Sequence, residues 1–133
     1  MSSARGTFEV KITPMPVDGY TDATTLGRMT IDKQFSGDLV ATSKGQMLTG
    51  RSEVKGSAAY SAIERVSGEL AGHRGTFVLQ HTGIMSRGAQ SLVISVVPDS
   101  GTDALTGLTG TMQIMIEGKQ HSYLFEYTLL TSH

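Results

Sequence analysis

Glu64, His81 and Tyr60 are the residues of this 133-residue chain whose types and spacing could do chemistry. A carboxylate that orients an imidazole can make it a general base near neutral pH, and an apolar wall can instead raise the carboxyl pKa so that it serves as an acid. A phenol on the same face can donate a hydrogen bond to a developing oxyanion. Period-two reading puts all three among Phe77, Leu79, Ile94 and Val96. Polar groups there are costly unless they bond to one another or to an entering molecule.

The register that positions them follows from hairpin arithmetic, since facing residues have indices of constant sum. A turn centred on His73-Arg74 opposes Val66 to His81 and Leu70 to Phe77, with Glu64 facing Gly83 and His81 diagonal to Glu64. On this reading Gly83 leaves room beside the carboxylate. A turn centred on Arg87-Gly88 opposes His81 to Ile94, Leu79 to Val96 and Gly83 to Leu92, so three strands agree on one inside. A turn at Gly118-Lys119 puts Met112, Ile114, Ile116, Tyr123, Phe125 and Tyr127 on one face and Gln113, Glu117, Ser122 and Glu126 on the other. Phe8, Val10 and Ile12 share a face of the first strand. The hairpin from Thr25 to Leu48 does not resolve, because both parities mix charge with apolar residues.

Sixteen glycines and three prolines punctuate eight strand-length segments. These lie near 7–13, 25–35, 38–48, 57–71, 76–85, 90–97, 107–117 and 120–130. The stretch 61–70 could form a helical turn or two, but its glycines favour strand. The fold class is therefore all-β, a single domain over residues 1–133. Eight antiparallel strands joined mostly by short turns close naturally into a barrel able to hold one small ligand, with a two-sheet sandwich as the alternative.

Composition excludes several function classes. Eleven basic and twelve acidic residues are spread along the chain for a net charge of −1, which provides no footprint for nucleic acid or an anionic membrane. The absence of cysteine removes disulfides, thiolate nucleophiles and cysteine-bound metal. Histidines 73, 81, 121 and 133 show no metal-ligand spacing, and only His81 and His121 point inward. His73 reads as a turn residue and His133 as a frayed tail. No nucleophile elbow, P-loop or dinucleotide fingerprint occurs, so no cofactor or metal is expected. The N-terminus lacks the apolar core of a signal peptide, and no segment approaches a spanning helix, so a cytoplasmic location is expected.

The strings GRMTIDKQFSGDL at 27–39, AIERVSGELAGHRGTFVLQHTGIM at 62–85, VVPDSGTDALTGLTG at 96–110 and FEYTL at 125–129 resemble the bacterial family known as domain of unknown function 3224. That family is similar to the allene oxide cyclase barrel-like group, whose members are cofactor-free, often oligomeric barrels that hold a reactive hydrophobic molecule. The resemblance covers nearly the whole chain and implies a homo-oligomeric barrel. The family usually reads SGTGEL where this chain has SGTDAL, so Asp103 takes a position in which a left-handed backbone is expected. If that loop rims the cavity, it would alter ligand choice.

The functional expectation is a small-molecule barrel, a cofactor-free isomerase, cyclase or lyase acting on an apolar molecule with one oxygen function. Glu64 and His81 form its acid/base pair, and Tyr60 or Tyr127 orients the substrate. Phe77, Leu79, Ile94, Met112, Tyr123, Phe125 and Tyr127 are the expected ligand-contacting wall, with Met112 and Met85 softening the pocket. The alternatives are a non-catalytic binding protein for such a molecule and a filled structural barrel in which Glu64 and His81 only pin the register.

Overall fold

The computed structural model describes residues 1–16 and 25–130. It contains eight strands: β1 Ser2–Met15, β2 Leu26–Gly37, β3 Leu39–Arg51, β4 Ala58–Leu70, β5 His73–Ser86, β6 Ala89–Val96, β7 Thr109–Glu117 and β8 Gln120–Thr128. Each pairs antiparallel with its chain neighbour, and β8 returns to β1 to close the barrel. Every strand has a neighbour on both sides, although β6 and β7 pair only at Ile94–Met112 and Ser95–Thr111, and this closure settles the choice between barrel and sandwich. The ambiguous stretch 61–70 is strand throughout. No helix is long and apolar enough to cross a membrane among the described residues.

Turn chemistry sets the registers. Arg87 and Gly88 both have positive φ, as a two-residue hairpin requires, and the pairings His81 with Ile94 and Leu79 with Val96 follow as expected. The β7–β8 pairing of Met112 with Phe125 and Ile114 with Tyr123 also matches. The β4–β5 register differs. Its turn lies at Ala71-Gly72, with φ of 49° and 86°, rather than at His73-Arg74. Val66 therefore faces Phe77, and Gly83 faces Tyr60 instead of Glu64. The shift is an even number of residues, so the inner face is unchanged.

The unresolved hairpin now has an inside. Met29, Ile31, Lys33 and Phe35 of β2 share the inner parity with Leu39, Ala41, Ser43, Gly45 and Met47 of β3. Lysine at an inner position is what hid the pattern.

The barrel's two ends differ. At one, the connection from β6 to β7 folds over the opening and buries Leu105 and Leu108 in the core. Thr102 holds it there, its hydroxyl accepting the Thr76 N–H at 3.0 Å and its own N–H donating to the Thr76 carbonyl at 2.9 Å. A side chain at Gly75 would come within 2.2 Å of the Thr102 carbonyl, so this close approach depends on glycine. Asp103 has φ of 52°, the left-handed backbone anticipated for it, but it is exposed at this plugged end and is not among the residues that line the cavity at the opposite mouth. At the other end no described residue closes the barrel. Ile116 and Ile12, expected on the inner face, are 64% and 48% exposed because their strands run past the packed layer here.

Candidate functional site

A mixed polar cluster occupies the barrel interior. Glu64 is fully buried, and its Oε2 accepts from Lys33 Nζ at 2.8 Å and is 2.9 Å from His81 Nε2. Register explains the contact: Glu64 on β4 pairs with Leu79, and His81 is the next inward residue of β5, a diagonal neighbour. Lys33 reaches across from β2, its ammonium 5.2 Å from the centroid of Phe8 and 5.8 Å from that of Phe35. The two rings offer their negative faces to the cation. Burial pushes the Glu64 carboxyl pKa up, but the His81 hydrogen bond and the Lys33 charge outweigh burial and hold it below the usual range. Glu64 is ionised at neutral pH.

The Glu64 carboxylate is already matched by Lys33, so a second cation would leave net positive charge in an apolar interior. In the tautomer whose Nε2–H donates to Glu64, the Nδ1 of His81 is an acceptor for the hydroxyl of Tyr60 at 3.4 Å. Burial, and secondarily the Glu64 charge, raise the phenol's pKa and keep it protonated.

Tyr60 connects this cluster to a cavity. A space of about 520 Å³ lies in the open mouth, lined by Met29, Met47, Tyr60, Met85 and Leu92 among others, with Arg51 at its rim. Tyr60 belongs to that lining, whereas Lys33, Glu64 and His81 do not. Its ring lies over Gly83, where a Cβ would sit 2.3 Å from the ring. Glycine opposite Tyr60 is thus what lets the phenol lie against the wall.

The sequence-expected site residues divide accordingly. Tyr60, Glu64 and His81 come together, but as a chain with only the phenol in the cavity. Phe77, Leu79, Ile94, Met112, Tyr123, Phe125 and Tyr127 are all buried, packed as solid core away from the mouth. Phe77, Phe125 and Tyr127 stack in succession, at 5.8 Å and 5.3 Å between centroids. Tyr123 is structural: its hydroxyl accepts the Leu39 N–H at 2.9 Å and donates to the Ser36 carbonyl at 2.8 Å, pinning the β2–β3 turn. His121 packs inward on Phe8, and His73 sits at the start of β5, its Nδ1 3.3 Å from the Leu70 carbonyl. His133 lies outside the described residues. Lys33 was missed, although the parity of Met29, Ile31 and Phe35 carries it inward. Among the described residues no group of three His, Asp or Glu side chains could hold a metal ion.

Fold and site together define a closed eight-stranded barrel with a buried Lys–Glu–His cluster beneath an open apolar mouth. The chain belongs to the family described as protein of unknown function (DUF3224), which matches residues 4–127. It is similar to a crystal structure of a protein with unknown function from that family from Shewanella oneidensis MR-1. The two are 48% identical, with a TM-score of 0.92 over 99% of each chain. No match is found among curated proteins.

Proposed function

We propose that the barrel holds an apolar small molecule by one oxygen-bearing or acidic C–H group at Tyr60, and moves a proton on it without a cofactor. The observation that carries this reading is that, among the described residues, Tyr60 alone belongs both to the cavity and to the buried polar chain. As the phenol oxygen takes a proton from a carbon of the ligand, its own proton passes to His81 Nδ1. The imidazolium so formed is stabilised by the Glu64 carboxylate. Reversal of these transfers returns a proton to another atom of the ligand, which amounts to isomerisation, or to cyclisation or elimination where the ligand's electrons move on. Positioned acid/base groups of this kind contribute about 10²–10⁴-fold.

A general probe tests this reading without knowledge of the natural substrate. 5-Nitrobenzisoxazole is a neutral apolar heterocycle that opens once a base removes its single acidic carbon-bound proton. The wild type is expected to accelerate its opening, and Tyr60→Phe and Glu64→Gln to lose most of the acceleration. Equal rates for all three would remove the proposal.

One observation favours a second reading, binding without turnover. Lys33 already neutralises Glu64, which weakens the carboxylate's support for a protonated His81. Saturable binding of the neutral fluorophore N-phenyl-1-naphthylamine that is indifferent to Glu64→Gln, with no acceleration of the probe reaction, would select it.

A further inference from the structure

Two polar atoms of the barrel interior have no hydrogen-bond partner among the described residues: Oε1 of Glu64 and Oγ of Ser43. Glu64 is 0% exposed and Ser43 2%. The ion cluster is lopsided, because Lys33 and His81 both reach Oε2 of the carboxylate and leave Oε1 without a donor. A buried anionic oxygen in that state is costly, and so is a buried hydroxyl beside it.

Register places both atoms over the same stretch of β3. Ser43 pairs with Lys33 of β2 and Gly45 with Glu64 of β4, so the Lys33–Glu64 bridge spans β3 above these two small residues. Gly45 cannot be larger, since a Cβ there would come within 2.7 Å of Glu64 Cα. Among the inward neighbours of Ser43 on β2, β3 and β4, only Lys33 and Glu64 carry polar side chains. Ser43 and Glu64 are diagonal neighbours, near enough for one small molecule to bond both, and their two orphaned atoms are not bonded to one another.

We infer that one water molecule is held here, donating a hydrogen bond to Oε1 of Glu64 and accepting one from the Ser43 hydroxyl, with an N–H of Lys33 as its third partner. Charge selects water over other occupants. The Lys33 ammonium repels a cation and the Glu64 carboxylate repels an anion, so the occupant is neutral. It must both donate and accept, and it must be small, since Lys33, Ser43 and Glu64 are all buried. Three bonds are what a buried water typically makes.

The water makes Ser43 a positioning residue. With Oε1 held over β3, the carboxylate keeps Oε2 between Lys33 and His81, and both oxygens of the ionised form are bonded. The site exists with or without a ligand at Tyr60.

A crystal structure of the wild type, in maps that show ordered surface waters, is expected to contain a single water within hydrogen-bond distance of Ser43 Oγ and Glu64 Oε1. The solution test compares Ser43→Thr with Ser43→Val, two side chains of one shape that differ in the hydroxyl. NMR titration of the Glu64 carboxyl carbon, with Lys33 and His81 kept as its neighbours, is expected to follow the wild type in Ser43→Thr. In Ser43→Val it is expected about 1 pH unit higher, because a donor to the charged form is lost. Altered packing alone moves both variants alike. Ser43→Ala gives the same decision should the valine variant not fold. An interior with no water between the two atoms, a direct Ser43–Glu64 hydrogen bond, or one Glu64 titration shared by both variants would overturn the inference.

Discussion

The hydroxyl of Tyr60 lies 3.4 Å from Nδ1 of His81, and through this contact a cavity at the barrel mouth meets an ion cluster in its core. Neither Glu64 nor His81 lines the cavity. Their influence on a bound molecule passes through the phenol, which makes Tyr60 the residue in contact with ligand and the other two positioning residues.

Tyr60→Phe separates chemistry from packing. The ring over Gly83 is kept and one long hydrogen bond is removed, so the expected loss of stability is about 1 kcal/mol. Opening of 5-nitrobenzisoxazole is expected to fall by about 10²-fold or more. Thermal unfolding beside the probe assay checks both halves.

Gly83→Ala moves the phenol without removing it. The new methyl would stand 2.3 Å from the Tyr60 ring, so the ring must swing away from the wall and from His81. Overpacking of this kind costs about 1–3 kcal/mol. Probe turnover is expected to drop nearly as far as in Tyr60→Phe although every polar group remains, and retention of full activity would show that the wall does not position the phenol.

The ion cluster is expected to be non-additive. Removing one member of a buried pair strands the other, at a cost of about 3–5 kcal/mol, whereas replacing both with neutral groups costs much less than the sum. Urea unfolding of Lys33→Met, Glu64→Gln and the double variant measures this coupling. Additive losses would mean that the 2.8 Å contact contributes no coupling.

Acid should weaken the fold through Glu64. Its folded pKa lies below the ordinary value of 4.5, so the unfolded chain binds the proton more tightly. The resulting stabilisation is fully present above about pH 4.5 and is lost as pH falls from there through the folded pKa. The difference in unfolding free energy between wild type and Glu64→Gln is expected to shrink over that interval and to stay flat from pH 5 to 7. A difference independent of pH throughout would contradict this account of the carboxylate.

These relationships were only partly legible in the sequence. Alternating residues on β5–β8 and the turns at Arg87-Gly88 and Gly118-Lys119 specified both the inner face and the pairing there, because glycine at positive φ marks a two-residue hairpin. Glu64 and His81 stood out as polar residues on an apolar parity. Ala71 was harder to see. A non-glycine residue at φ 49° carries no obvious turn signal, so the β4–β5 turn was placed two residues late and Gly83 was set against the wrong side chain. Lys33 was invisible for a different reason: a lysine on an inner face looks like an error of parity until the carboxylate that balances it is known. The cavity could not be read from apolar content, because Phe77, Phe125 and Tyr127 fill one end of the barrel while Met29, Met47 and Leu92 surround space at the other. Which end is plugged depends on how the β6–β7 connection folds back, a non-local feature that composition does not encode.

The most direct measurement is a crystal structure of the protein purified from its expressing cells with no ligand added. The account predicts organic density in the open mouth, an apolar body against Met29, Met47 and Leu92 and a polar atom within hydrogen-bond distance of the Tyr60 hydroxyl. A mouth holding only water, with crystals soaked in 5-nitrobenzisoxazole also showing nothing at Tyr60, would contradict it.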